Sequence, residues 1–421
     1  MKKFLLGSPD NILKNSYIWN TIGGLLNAGQ SALLLIVISR TNPVEDAGVF
    51  SIAYAIACLT VTVGKWGMRN FQATDVLDKY DYSIYASSRV ITCILMMALT
   101  IFYIFKGILI SNYSIEKCCV ILLMGMLKLL DAVEDIIHGM FQRKGRLDVG
   151  AKGMATRYIV MLFVCIISLI LTGSLVGSLG VAFLISTLYF VLTVLSVYDE
   201  FKEKVSVSFT DRDVWRLLAE CFSLFAGSFL MIYIANAPKY AIDEYMTEVV
   251  QACFNYIFMP VYVISVLNTF VYQPVLTKLA IYYEGNQYKE FLYLFLRQLF
   301  IIFGLALGVI VCGYLLGIPV LTFLYNIDLS EYKQSFIILL VGGSFLAISG
   351  YLSVVITILR KQNWLLIGYV SAAVIAFFAA KPLTLSWGVT GAAFLYTGIV
   401  LLQSLIFAAI FMKFCRGIRL K

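Results

Sequence analysis

A chain of 421 residues that is 61% hydrophobic, 13% charged and +8 in net charge is too apolar and too sparsely charged for a water-soluble globule. Apolar runs of about 20 residues recur from end to end, which predicts an all-α polytopic membrane protein and leaves no room for a soluble catalytic domain. The basic residues have no aromatic-interleaved surface segment to sit on, so no nucleic-acid partner is expected, and membrane topology explains their placement.

The start, "MKKFLLGSPDNILKNS", has a short apolar core broken by Gly7, Ser8 and Pro9, so it is not read as a cleaved signal. Twelve spans are predicted, at roughly 16–39, 47–70, 85–105, 115–141, 154–172, 179–198, 216–236, 248–274, 291–313, 333–358, 363–380 and 389–412. With a cytoplasmic N-terminus, most of the 32 Lys and Arg fall on the cytoplasmic side. Arg143, Lys144, Arg146, Lys152 and Arg157 follow the fourth span, and Lys413, Arg416, Arg419 and Lys421 form the tail. Both termini are therefore placed in the cytoplasm. The polar link "YDEFKEKVSVSFTDRDV" divides the chain into a six-helix lobe (1–199), a linker (200–214) and a second six-helix lobe (215–421). The nine cysteines fall mostly inside apolar runs without metal-type spacing, and read as small buried apolar residues.

The first span carries Asn20, Asn27 and Gln30 beside Gly23, Gly24 and Gly29. In "TNPVEDAG", Asn42 reads as an N-cap, Pro43 as the first helical residue, and Glu45 and Asp46 as acids favoured by the helix N-terminus. The second span ends in "VGKWGMRNFQATD", with Lys65 and Arg69 around a bend allowed by Gly64 and Gly67. Asp75, Asp78 and Asp81 read as solvated loop acids, and Arg89 opens the third span.

The fourth span is the anomaly. At about 100° per residue, Lys128, Asp131, Asp135, His138 and Gln142 share an arc of about 80°, with Glu134 beside it. Such a stripe facing lipid would cost at least about 2.5–3.5 kcal/mol per central charge. It must face protein or water. It is either an internal ladder, Lys128 to Asp131 and His138 to Glu134, or the wall of a hydrated cavity.

In the seventh span Pro238 is expected to end or kink the helix, and Lys239 follows it, either snorkelling to the interface or facing a cavity. The eighth has Asn255, Asn268 and Gln273 with Pro260 and Pro274, and the eleventh ends at Lys381–Pro382. "EDAGVFSIAYAIA" and "EVVQACFNYIFMP" align without a gap, setting Phe50 on Phe254 and Tyr54 on Phe258, as a duplicated bundle would.

Six segments together resemble a known family: "GMRNFQATD", "EDIIHGMFQRKGRLDVGAK", "NAPKYAID", "QACFNYIFMP", "GIPVLTFLYNIDLSEYK" and "LLVGGSFLAISGYLSVVITILRKQ". The chain resembles the polysaccharide-transport branch of the multidrug/oligosaccharidyl-lipid/polysaccharide (MOP) exporter superfamily, the flippases of O-antigen, capsule and exopolysaccharide repeat units. The resemblance implies twelve helices in two six-helix lobes around a central cationic cavity, working by alternating access in the bacterial plasma (inner) membrane. It implies an undecaprenyl-diphosphate-linked oligosaccharide as substrate, a downstream polysaccharide polymerase as partner, no cofactor or metal, and coupling to H⁺ or Na⁺. In related flippases arginines on helices 1, 2 and 8 bind diphosphate. Here only Arg69 matches, the first span has no internal arginine, and Gln273 stands where the eighth would carry charge. The diphosphate set is therefore expected to be Arg69, Lys65, Arg89, Lys128 and Lys239. Coupling or sugar contacts are assigned to Asp131, Glu134, Asp135, His138, Gln142, Asn27, Asn255 and Gln273, with Trp19, Trp66 and Tyr54 as stacking platforms. The alternative is a multidrug/organic-cation antiporter on the same architecture, which would need a net acidic cavity. An enzyme lacks the outside loop or metal-binding acidic cluster it would need.

Overall fold

The computed structural model describes residues 1–8, 11–75, 79–203 and 205–419, so Pro9, Asp78 and Lys421 fall outside the described residues. Among those described, every regular element is a helix. A short α1 (Lys2–Leu6) precedes α2 (Ile12–Thr41), α3 (Val44–Lys65), α4 (Met68–Thr74), α5 (Tyr82–Ser111), α6 (Ile115–Arg143), α7 (Leu147–Thr172) and α8 (Leu175–Val197). After the polar link come α9 (Arg212–Tyr245), α10 (Glu248–Glu284), α11 (Tyr288–Cys312), α12 (Ile318–Tyr325), α13 (Lys333–Ile358) and α14 (Leu365–Arg419).

Ten helical stretches among the described residues are long and apolar enough to cross a membrane. Two features bring these to the twelve expected spans. α6 is long enough but carries charges through its middle, at Lys128, Asp131, Glu134 and Asp135, and α14 is two helices joined at Gly388, whose φ of 57° and ψ of −134° are non-helical. The chain is a multi-pass helical membrane protein.

Polar residues set the helix ends. Ser114 and Ser174 each accept from a backbone N–H three residues on, at 3.1 Å, satisfying a donor the helix cannot. Asn42 is not an N-cap. It closes α2, and its amide donates to Asp46 at 2.8 Å and to the Gly173 carbonyl at 2.7 Å, while Glu45 and Asp46 sit in the first turn of α3. Pro238 does not end the seventh span, and Pro260, Pro274 and Pro382 are interior as well. A proline removes one N–H, but in an apolar surround no water competes for the rest of the ladder, so the helix runs on.

The chain packs as two compact units, Met1–Phe229 and Leu230–Lys421, with the division inside α9 rather than in the link at 200–214. The reason is local. Val214, Leu217, Leu218 and Cys221 on the first half of α9 share one apolar cluster with Met68, Tyr85 and Ile136. Within the first unit α2 packs on α7, and α3 on α5 and α6; within the second, α13 packs on α10 and α14.

The aligned segments carry the same ring pair. Phe50 and Tyr54 on α3 have centroids 6.0 Å apart, and Phe254 and Phe258 on α10 5.6 Å. Lys128 stands over Tyr54 at 5.3 Å and Lys239 over Phe258 at 5.2 Å. Each unit thus places a buried ammonium on a ring face, where a desolvated cation–π contact is worth about 2 kcal/mol.

Candidate functional site

α6 turns its polar stripe into the first unit. Lys128, Asp131, Glu134, Asp135 and His138 are all buried, whereas Gln142 is exposed and stands apart from them. Lys128 Nζ donates to Asp131 at 2.9 Å, and His138 Nε2 faces Glu134 at 3.6 Å. These are the contacts that spacings of three and four on one helix face provide.

The principal partner comes from α7. Arg157, 1% exposed, donates from Nε to Glu134 at 3.0 Å and from one terminal nitrogen to Glu134 at 2.7 Å and to Asp131. Its planar fork joins two carboxylates in a way that a lysine cannot. From the sequence Arg157 counts among the cytoplasmic basic residues. α7 instead begins at Leu147, ahead of the predicted start at 154, so Arg157 lies well inside the helix. A signal for it was present. Gly150 and Arg157 are about 20° apart around the helix. A Cβ at Gly150 would stand 2.8 Å from the His138 ring, so this face of α7 is built for close approach to α6.

A second branch radiates from Asp135. Arg89 on α5 donates to it at 3.0 Å, and Arg69 on α4 lies 3.9 Å away. Arg89 also donates to the Gly64 carbonyl, as does Thr92 at 2.8 Å. That carbonyl is freed because α3 stops at Lys65 and the chain turns through left-handed Trp66 (φ 50°) and Gly67 (φ 67°). The turn is anchored. The Trp66 indole stacks on Phe225 with centroids 3.9 Å apart and donates to the Leu218 carbonyl at 2.9 Å.

The anchored turn presents Lys65 and Arg69, both only partly buried. Lys65 has no carboxylate partner among the described residues, though its charge acts on Asp131. On the α2 side, exposed Asn27 accepts at Oδ1 from Gln30 at 3.0 Å, Tyr158 at 3.1 Å and Lys128 at 3.4 Å. The void inside this layer measures about 10 Å³ and is lined by Gln30, Tyr54, Lys128, Asp131, Arg157 and Tyr158 among others, room for at most one water. Within the first unit the buried part of the stripe is thus a packed ladder around this small void.

Several expectations change. Each proposed stacking platform already has one neighbour: Trp66 has Phe225, Tyr54 the Lys128 ammonium, and Trp19 has Phe4, edge-to-face at 5.5 Å. Lys239 does not snorkel; it is 4% exposed, over the rings of Phe258 and Tyr262. Asn255 is buried with Oδ1 unpartnered, and Gln273 is exposed; with Lys239, both belong to the second unit. Asp75 is not a solvated loop acid. Burial pushes its carboxyl up, but the Lys79 and Tyr80 N–H groups, the Tyr85 hydroxyl and the Arg143 charge together hold it below the usual carboxylate range. The nine cysteines are free, but only Cys165, Cys221 and Cys253 are buried; Cys312 is exposed and the other five are half-buried. No group of three His, Cys, Asp or Glu among the described residues could hold a metal ion.

The charge balance decides what the site can do. Lys65, Arg69, Arg89, Lys128 and Arg157 face Asp131, Glu134 and Asp135, a surplus of two positive charges before His138 is counted. The buried cations Arg89, Lys128 and Arg157 balance the three acids in charge, although Arg89 Nε has no hydrogen-bond partner. The surplus resides at the accessible end, Lys65 and Arg69.

No family model and no curated protein matches the chain. Solved structures do match. A multidrug resistance MATE family transporter of the MOP superfamily, in an inward-facing conformation, superposes with a TM-score of 0.66 at 14% identity, over 96% of this chain and 99% of that one. The eukaryotic MATE transporter AtDTX14 gives 0.63 at 16%, over 97% and 99%. A MOP superfamily transporter of Pyrococcus furiosus, described as having a binding pocket of reversed polarity that suggests a different function, gives 0.53 at 14%, over 99% and 98%. By its helices and by these superpositions, the chain has the fold of the MATE transporters of the MOP superfamily.

Proposed function

We propose that this protein is a transporter of an anionic lipid-linked substrate, a polyprenyl-diphosphate oligosaccharide moved from the cytoplasmic to the outer leaflet of a bacterial plasma membrane. The carrying observation is the surplus of two cations at Lys65 and Arg69, held on an anchored turn beside an otherwise self-neutralised network. Arg and Lys pair well with phosphate oxygens, and a diphosphate offers several. The polyprenyl chain stays in lipid while the charged headgroup crosses. In this reading both termini are cytoplasmic, coupling to H⁺ or Na⁺ acts on Asp131, Glu134 or Asp135, and a polysaccharide polymerase receives the product.

A second reading, a multidrug/organic-cation antiporter, is favoured by the neighbours described as multidrug resistance transporters. A net cationic interior repels organic cations, which weighs against it here. The P. furiosus neighbour is described in terms of the same kind of polarity argument.

The test is leaflet accessibility of a polyprenyl-diphosphate oligosaccharide in proteoliposomes, run beside uptake of an organic cation. Transfer that needs the protein and is lost in Lys65→Gln/Arg69→Gln at equal reconstitution is the expected result. Organic-cation uptake without lipid transfer would overturn the proposal in favour of the second reading.

A further inference from the structure

The second unit holds a cleft of about 550 Å³ between α10 and α11. Its walls are mostly apolar, from Val271, Pro274 and Val275 to Leu294 and Ile301, but Lys278 and Arg297 open into it. Both are exposed, no acid lines the cleft, and neither cation has a carboxylate partner among the described residues. Glu284, at the end of the same helix, pairs with Arg360 instead. Gln298 Nε2 donates to the Val271 carbonyl at 3.0 Å and ties the two helices together at that level.

The depth of the cleft identifies what covers it. α10 has 37 residues, about 55 Å of helix against a hydrocarbon core of about 30 Å, so much of its end lies beyond the core. Lys278 is roughly 9 Å of helix from Glu284, and Arg297 roughly 14 Å from Tyr288. Tyr282, Tyr283, Tyr288 and the exposed Tyr293 surround the turn that joins the helices, and tyrosines gather at the headgroup level of membranes. Two unpaired cations at that level, over an apolar slot, complement an amphiphile with an anionic head and a hydrocarbon tail.

We infer that the α10–α11 cleft is a binding site for one anionic glycerophospholipid, its phosphodiester held by Lys278 and Arg297 and one acyl chain lying along Val275, Leu294 and Ile301. This site is separate from the Lys65–Arg69 end and does not rest on the transport proposal.

The experiment titrates the full chain, in a neutral detergent, with phosphatidylglycerol or phosphatidylcholine and counts bound lipids by native mass spectrometry. Two cations near a membrane surface predict that the first phosphatidylglycerol binds about thirtyfold more tightly than phosphatidylcholine. Lys278→Gln/Arg297→Gln should abolish that preference while leaving weaker adducts and thermal stability unchanged. Val275→Trp, which fills the slot but keeps the cations, should weaken the first adduct of either lipid. Equal binding of the two lipids by the parent, or a preference that survives the double glutamine variant, overturns the inference. Displacement of the first lipid by millimolar inorganic phosphate overturns it too, because the acyl chain would then contribute nothing.

Discussion

Arg157→Met tests the first unit at its centre. The substitution keeps much of the side-chain volume and removes the fork. Asp131 then retains Lys128 at 2.9 Å, but Glu134 keeps only His138 at 3.6 Å, beyond hydrogen-bond range. The damage therefore concentrates on Glu134, a buried carboxylate left without a proper partner. Removing one member of a buried pair costs about 3–5 kcal/mol, because the remaining charge stays desolvated. For a unit of this size about 2–4 °C of Tm accompanies each kcal/mol, so a fall of about 10 °C is expected. Replacing the acid as well, in Arg157→Met/Glu134→Gln, removes the orphaned charge and should recover at least about 2 kcal/mol, which the double-mutant cycle reads as coupling. Arg157→Lys should fall between, since an ammonium cannot span both carboxylates. Scanning fluorimetry at a fixed heating rate in one detergent gives the comparison. An Arg157→Met protein within 2 °C of the parent, or a double variant no more stable than the single, would refute the account of the network.

Three further outcomes follow from local geometry. Lys152 Nζ donates to the carbonyls of Phe4 and Leu5 at 3.1 Å, so Lys152→Met should loosen α1 and raise hydrogen exchange at residues 5–7 by about tenfold or more, the worth of a charge-assisted bond; unchanged exchange would mean that buried Leu5 and the Arg146 contact to the Leu6 carbonyl hold α1 without it. Gly67 has φ 67° and would set a Cβ 2.7 Å from that of Leu224, so Gly67→Ala should cost about 1–3 kcal/mol in a Tm comparison, and Leu224→Ala, which keeps the Cβ, should not restore it. Asp75 has a folded pKa below its unfolded value of about 3.9, so its contribution is complete above that pH and fades as pH falls through the folded value. Asp75→Asn should flatten the loss of stability below about pH 4, and an acid-unfolding curve parallel to the parent's would contradict this.

The helices were legible because lipid imposes a simple rule on composition, and the contacts internal to α6 were legible because spacings of three and four on one helix meet. Lys128–Asp131 and His138–Glu134 stand where that rule puts them. Arg157 was not, because its partners lie on another helix and a basic residue near a span end reads first as a topology signal. The exposure of Gln142 and Gln273 was not legible either: periodicity gives a direction around a helix, while burial depends on where that helix emerges. Of the two outcomes open for Pro238, ending its helix did not occur, for a physical reason already given, as hydrogen-bond loss ends helices in water far more readily than in an apolar surround.

A ladder this well satisfied constrains how any ligand can act on it. Displacing Arg157 would orphan Glu134, and displacing Arg89 would leave Asp135 with only the long contact to Arg69, so neither is an easy point of entry. Arg69 is different. Its contact with Asp135 is long, 3.9 Å, and Asp135 has Arg89 at 3.0 Å behind it. An anion arriving beside Lys65 can draw Arg69 away without leaving a buried carboxylate unpaired. Lys65, for its part, gives up no carboxylate. The desolvation cost that protects the interior of the network is thus absent at this one end, so an anionic ligand entering here meets two cations and breaks no strong pair. The same arithmetic disfavours a cationic ligand, which would have to detach an acid from Arg89, Lys128 or Arg157 before it gained a partner of its own.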